Sequence, residues 1–358
     1  MNGIKRLPDR IRLSMGTAAV LGLEKIKVDV ASTTAYFMLY SEHSCTANCA
    51  FCAQARESSS DRRQLSRVVW PDYDTREVIS ALKESSGQIQ RVCIQINNYA
   101  GFIDDVVAII HEIKTVSDVP ISIDTCPIRR EDLERIREVG AEKISIPLDA
   151  ATSTIFDAVK GNAVGGPYRW ETHFVALEAA IEVYGRDNVM TNLIIGLGET
   201  EREAVEFIQC VLDRGVKTAL FAFTPIPGTP LQGRAPPQID SYRRIQLTRN
   251  LITSGRVRSS DMRFDADGRI IGFGVDESLK VLLGDGEALR TTGCPGCNRP
   301  FYNERPRGPM YNYPRSLGPD ELAEEIRGME RALTGIRTDD DVNRFFASRK
   351  NNSLRRVS

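Results

Sequence analysis

Two hydrophobic periods alternate along the chain. Apolar residues three and four apart mark helical segments, and short β-branched runs mark strands between them. In residues 74–85, Val78, Ile79 and Leu82 share one helical face, and in 103–115 Val107, Ile110 and Ile113 align. The same period runs through 130–139, 169–183, 201–214 and 240–253, and Gly140, Gly185 and Gly215 stand where three of these helices end. Residues 35–40, 92–96, 120–124, 143–148, 189–195 and 218–223 read as strands. Strands and helices at this spacing imply parallel pairing with right-handed crossovers. The expected fold is α/β, a TIM-like (β/α) barrel that is complete or nearly so.

The pattern weakens at both ends. Residues 1–34 are expected to form an N-terminal extension with helical pieces such as 15–23. The barrel is assigned to 35–290. Within it, 262–265 and 269–273 flank an Asp267-Gly268 pair and read as a hairpin, which leaves the last barrel units open. Residues 291–318 are rich in Pro, Gly, Asn and Arg and read as loop, with tyrosines and arginines expected to close over the barrel mouth as a lid. A helix is expected over 320–333 and a mobile polar tail from Ser348, so 291–358 forms a C-terminal segment.

Composition narrows the class. Hydrophobic content of 41% and charged content of 27% are ordinary for a soluble globular protein. A net charge of -1 gives no reason to expect nucleic acid or an anionic membrane as partner. No targeting segment and no bilayer-spanning run is seen, so a cytoplasmic location is expected. The chain has eight cysteines, too few in so long an intracellular chain to be a disulfide framework. Cys45, Cys49 and Cys52 form one cluster and Cys294 and Cys297 another. Cys93, Cys126 and Cys210 stand apart, and isolated cysteines are most often small buried apolar residues.

The first cluster has the spacing C-x3-C-x2-C and follows the strand predicted at 35–40. It therefore lies on a loop leaving a strand's C-terminal end. Three thiolates on one short loop can hold three irons of a cubane cluster and leave the fourth iron open to a small molecule. Zinc is the alternative, but zinc knuckles favour a second C-x2-C pair or histidines, and only His43 is near. With Phe51 before the last cysteine, the motif resembles that of the radical S-adenosylmethionine (SAM) superfamily. The resemblance implies a [4Fe-4S] cluster that binds SAM through its amino and carboxylate groups. It also implies reductive cleavage to methionine and a 5'-deoxyadenosyl radical that abstracts hydrogen from an unactivated carbon.

The remaining candidates sit after predicted strands, where α/β barrels gather their chemistry. Asn97 and Asn98 stand where relatives often have Gly-Gly-Glu contacting the SAM amino group; a polar loop cap is the competing role. Asp149 looks like the acid that contacts the SAM ribose in biotin synthase-like members, with Pro147 in place of their Asn. Its competing role is the N-cap of a helix starting near Ala151. Arg169 could pair with the SAM carboxylate, or simply face solvent. Gly196, Gly198 and Glu199 are similar to a family segment that packs under adenine, although Glu199 also suits a helix's first turn. The run from Thr224 to Leu231, with Pro227 at its centre, resembles one lining the adenine and substrate side; a rigid turn is its plainer role.

Cys93 stands where biotin synthase places one ligand of its [2Fe-2S] cluster. Ser122 and Met190 fall where further cysteines would be needed, so biotin synthase itself is disfavoured. Cys294 and Cys297, with Cys126 expected to face the same barrel mouth, suggest a second, auxiliary [4Fe-4S] cluster, and Gly296 between the pair permits a tight turn. The arrangement resembles a subunit of the two-protein, archaeal-type lipoyl synthase. That resemblance implies sulfur insertion into a protein-bound octanoyl chain on a carrier protein or lipoyl domain. It also implies a partner radical SAM subunit and an electron donor such as ferredoxin or flavodoxin. A biotin synthase-like or cofactor-maturation enzyme remains open, as does a metal-binding assembly factor with a structural zinc at the pair.

Overall fold

A computed structural model describes residues 6–85, 87–304 and 308–334. In chain order its elements are β1 (Arg10–Leu13), α1 (Met15–Val20), β2 (Thr34–Leu39), β3 (Gln64–Leu65), β4 (Val68–Val69), β5 (Asp72–Asp74) and α2 (Thr75–Glu84). Next come β6 (Arg91–Gln95), α3 (Phe102–Val116), β7 (Ile121–Asp124), α4 (Arg130–Glu138), β8 (Ala141–Ser145), α5 (Ser153–Val159) and α6 (Trp170–Tyr184). They are followed by β9 (Val189–Ile195), α7 (Glu201–Asp213), β10 (Lys217–Ala222), α8 (Ile239–Thr253), β11 (Arg263–Phe264), β12 (Ile270–Gly272), α9 (Leu279–Leu283) and α10 (Pro319–Thr334).

The main sheet runs β10-β9-β8-β7-β6-β2-β1-β5. Six neighbours, β2 and β6 to β10, are parallel and follow chain order, which makes the TIM-like α/β arc that the alternation predicts. Every residue of β2 is buried, as expected for a strand covered on both faces. Helix α7 shows how local chemistry sets the boundaries. Thr200 caps Glu203 N–H and the Glu203 carboxylate returns to Thr200 N–H, a reciprocal capping box.

Two expectations need correction, and a third, the hairpin, is borne out. The N-terminal stretch is not merely an extension, because β1 joins the main sheet antiparallel to both β2 and β5. At four residues β1 is too short for its alternation to stand out. The hairpin β11–β12 is a separate two-stranded sheet and adds nothing to the barrel. The C-terminal segment is a cover only in part: Arg299 and Tyr302 line the cavity, but Tyr311 and Tyr313 do not. Tyr311 packs edge-on against Tyr242 of α8, and its hydroxyl donates to Pro237 C=O at 2.7 Å. The Tyr313 hydroxyl donates to Glu325 at 2.8 Å. The buried Arg243 of α8 clamps the segment, donating to Tyr311 C=O and to the Glu325 carboxylate, each at 2.6 Å. The tail from Ser348 lies outside the described residues.

Residues 292–298 seal the side that an eight-stranded barrel would close by pairing. At edge strand β10, Leu220 N–H donates to Thr292 Oγ1 at 2.7 Å. At the start of β2, Thr33 N–H donates to Asn298 Oδ1 at 3.1 Å, and Asn298 Nδ2 donates to Ala31 C=O at 2.8 Å. Thr33 Oγ1 donates to Gly296 C=O at 2.5 Å. The edge is thus covered by loop rather than by strand. Among the described residues no helix is long and apolar enough to cross a membrane.

Thr292→Val keeps the shape of the side chain but leaves the buried Leu220 N–H unpaired, at a cost of about 1–3 kcal/mol. The denaturant midpoint should fall at unchanged m-value, and Thr292→Ser should restore it. An unchanged midpoint in the valine variant would mean that this bond does not hold the segment.

Candidate active site

Residues 40–63, between β2 and β3, contain no regular element, yet their backbone is held at many points. Cys45 N–H donates to Gln54 C=O at 3.0 Å, Thr46 N–H to Asn98 C=O at 2.8 Å, and Ala50 N–H to Val159 C=O at 2.7 Å. Buried Gln54 donates to Arg62 C=O at 2.7 Å and Gln64 C=O at 2.6 Å, and accepts from Asn97 at 3.3 Å. Cys45, Cys49 and Cys52 line one end of a cavity of ≈ 270 Å³ enclosed by the parallel strands. Burial pushes the Cys49 thiol well above its ordinary range and the Cys52 thiol up to about 12. Both are therefore held as neutral thiols until a metal displaces their protons.

No three cysteine, histidine or acidic side chains among the described residues converge as a single metal ion requires. An iron–sulfur cluster does not require convergence, since each thiolate binds its own iron. Three free cysteines on one pinned loop, facing a cavity, fit such a cluster.

At the same end, Asp149 has a left-handed backbone (φ +66°) and still bridges to Leu193 of β9. Its carboxylate is not a helix cap, because Thr152 caps α5 by accepting from Ile155 N–H at 3.2 Å. Asp149 Oδ2 instead accepts from Lys160 Nζ at 2.7 Å, with side-chain exposures of 11% and 6%. Burial works against the Lys160 ammonium, but Asp149 and then Cys49 outweigh it and hold its pKa above the ordinary value. Below this pair, Asp124 Oδ2 accepts from Asn192 Nδ2 at 3.2 Å, while Asp124 Oδ1 is buried without a partner. Burial, then the charge of Asp149, pushes the Asp124 carboxyl up to about 6.

The other end of the cavity carries sulfur too. Cys93, Cys294 and Cys297 line it together with Tyr36, Ser122 and Met190. Cys93 lies inside β6, and four residues of extended chain separate it from Asn97, about 13 Å at roughly 3.3 Å per residue. Cys294 and Cys297 are therefore at the strand-start end, not at the mouth where the pair was expected. Cys126 follows the end of β7 and lies by Tyr168, Thr125 and Cys45, so the structure does not bring it to Cys294 and Cys297.

The remaining candidates divide in the same way. Phe51 and Asn97 line the cavity. Asn97 also donates to Leu39 C=O at 3.3 Å, which ties the loop to the end of β2. Arg169, Gly196, Gly198, Glu199 and Pro227 are outside the cavity wall. Arg169 donates to Tyr168 C=O at 2.7 Å and to Asn162 at 3.2 Å. Glu199 accepts from Gly196 N–H at 2.6 Å and Leu197 N–H at 3.0 Å, closing the turn on itself. Gly196 and Gly198 have φ of +107° and +126°, so the turn requires glycine at both positions. Pro227 C=O accepts from Ser60 Oγ, and Gly228 C=O from Ser59 N–H at 3.0 Å, so this run braces the cysteine loop. Sequence reasoning missed Lys160 and Asp124, which carry no motif, and passed over Cys93.

Residues 42–211 match the family described as the Radical SAM superfamily. The chain is 24% identical over 222 residues to a biotin synthase from Chlorobium phaeobacteroides (strain BS1), across 60% of this chain and 62% of the relative. It thus spans less than two thirds of that relative's length. Among solved structures it is similar to methylornithine synthase (PylB), at 14% identity and a TM-score of 0.48 over 67% of this chain and 65% of that one. It is also similar to the FeFe-hydrogenase maturase HydG from Carboxydothermus hydrogenoformans, at 15% identity and a TM-score of 0.43 over 87% and 81%.

Asp124 gives the cavity a signature in pH. The folded chain keeps the proton up to about pH 6, while the ordinary carboxyl value is 3.8. Between these values the folded state binds more protons than the unfolded one, so stability falls as pH rises through the window. Asp124→Asn should flatten that fall when unfolding free energy is measured across the window in both proteins. An equal slope in the variant would mean that the carboxyl ionises freely.

Proposed function

We propose that this chain is a radical SAM enzyme that cleaves S-adenosylmethionine reductively and directs sulfur insertion into an unactivated C–H bond. The substrate we infer is a protein-bound octanoyl chain on a carrier protein or lipoyl domain. The chain would act with a partner radical SAM protein and take electrons from a ferredoxin- or flavodoxin-like donor. The observation that carries this reading is one cavity with thiol groups at both ends.

Cys45, Cys49 and Cys52 would hold a [4Fe-4S] cluster with one iron open to SAM. When bound, the cluster supplies the electron that splits SAM into methionine and a hydrogen-abstracting 5'-deoxyadenosyl radical. The residues around it orient and shield. Lys160 holds Asp149 by one carboxylate oxygen, leaving Oδ1 free to accept from the ribose hydroxyls. Asn97 fixes the loop, and Phe51 adds an apolar surface beside Cys52. Cys294 and Cys297 would hold a second cluster as the sulfur source, kept from water by the segment that seals the arc. Biotin synthase-like insertion into a small free acid is the second reading, favoured by the sequence relative and by Cys93 facing the pair.

Anaerobic reconstitution with SAM and an octanoylated lipoyl domain, alone and with the partner, tests the proposal. Product masses should show one or two added sulfurs. No sulfur on this substrate under either condition would overturn the lipoyl assignment. Replacing Cys45, Cys49 and Cys52 together with Ala should remove about four irons and abolish 5'-deoxyadenosine formation. Unchanged SAM cleavage in that variant would overturn the radical assignment itself.

A further inference from the structure

We propose that Cys93, rather than Cys126, joins Cys294 and Cys297 in a three-thiolate iron–sulfur site at the strand-start end of the barrel. The inference rests on the reading that the chain holds two clusters, and it names the ligands of the second.

Sheet register places Cys93 between Tyr36 on β2 and Ser122 on β7. The Tyr36 hydroxyl is 3.3 Å from Cys297 Sγ, and Ser122, whose hydroxyl donates to Val92 C=O at 3.4 Å, shares the cavity wall with Cys93 and Cys294. Cys294 Sγ is 3.7 Å from Met190 Sδ, which completes a sulfur-rich ring. Cys126 is four residues beyond Ser122 along the chain, about 13 Å in extended backbone, at the end occupied by Cys45.

The Cys294–Cys297 turn is built in advance. Cys297 N–H donates to Cys294 C=O at 2.9 Å, and Gly296 has φ +78°. A Cβ on Gly296 would come within 2.6 Å of Gln90 Oε1, so the turn is seated against the start of β6.

Charge provides a separate argument. Arg91, 4% exposed, has Nε and Nη1 without hydrogen-bond partners, and its ion pair goes to Glu142, a side chain 47% exposed. Buried Lys143 donates only to neutral groups, Asp187 C=O at 3.1 Å and Asn188 Oδ1 at 2.6 Å. Arg299 lies 3.8 Å over the Phe221 ring and donates to Thr292 C=O at 2.6 Å. Asp124, the acid that reaches Cys93, lies toward the middle of the cavity. Buried donors left without an acceptor are costly, as Arg91 Nε and Nη1 are here, and the thiolates of a cluster bring negative charge to this end of the barrel.

The test uses the full chain, reconstituted anaerobically with iron and sulfide, with circular dichroism as the folding check. Wild type should bind about eight irons, and Cys93→Ala about four, the same as Cys294→Ala/Cys297→Ala. The Cys93→Ala/Cys294→Ala/Cys297→Ala variant should lose no more, and Cys126→Ala should keep the full count. If Cys93→Ala folds poorly, Cys93→Ser gives the same readout. Full iron in the Cys93 variants, with half lost in the pair variant, would overturn the ligand set while leaving two clusters. Full iron in the pair variant as well would overturn the two-cluster reading and this site with it. Zinc in place of the second set of irons would overturn the cluster assignment.

Discussion

Six parallel strands leave a barrel open, and the open side exposes the unpaired backbone of β10. Groups of that kind must be hydrogen-bonded or covered. Here the cover is residues 292–298, stitched to Leu220 on one side and to Ala31 and Thr33 on the other. The same stitching brings Cys294 and Cys297 into the cavity. A structural requirement of the sheet edge and the placement of two thiols are thus met by one segment. Further along the same C-terminal segment, Arg243 of α8 holds Tyr311 and Glu325, which ties α8 to α10.

At the upper end the controlling contact is the buried pair of Asp149 and Lys160. Removing one partner of such a pair leaves a charge without compensation, at a cost of roughly 3–5 kcal/mol. Lys160 also donates to Pro147 C=O at 2.5 Å and lies 5.4 Å from the centre of the Tyr168 ring. It therefore joins the end of β8, the start of α6 and the region of Cys49. This ammonium is positioned to favour thiolate at Cys49, against the burial that keeps the thiol neutral.

Much of the fold was legible because the parallel strands obey a simple period. The six strands and the helices between them lie within a few residues of their expected places. Strand β1 was not legible, since four residues carry little period and its partners β2 and β5 lie far along the chain. The cysteine loop was legible from spacing alone. The partner of Asp149 was not, because a lysine at the end of a short helix has no signature, and capping was the more local alternative. Cys126 was grouped with the tail pair by the rule that strand ends gather chemistry. That rule says nothing of a loop entering from the opposite end. Glu199 was legible as a turn residue, and the geometry of Gly196 and Gly198 shows why: the carboxylate closes the turn that the glycines permit.

The separation of the two thiol groups bears on what can react between them. On the proposed reading, a radical formed near Cys45, Cys49 and Cys52 would reach only carbons presented at that end, and sulfur held near Cys93 only those that approach the other. A substrate serving both must enter at depth and present one carbon between the two sites. The wall between them is mixed, with Ile123, Ile144 and Ala219 apolar and Gln95, Asp124 and Asn192 polar. An extended acyl chain matches the apolar part. Asp124 Oδ1, buried without a hydrogen-bond partner, offers an acceptor to an amide N–H at the chain's head. On the proposed reading, selectivity for one carbon follows from where that head group stops.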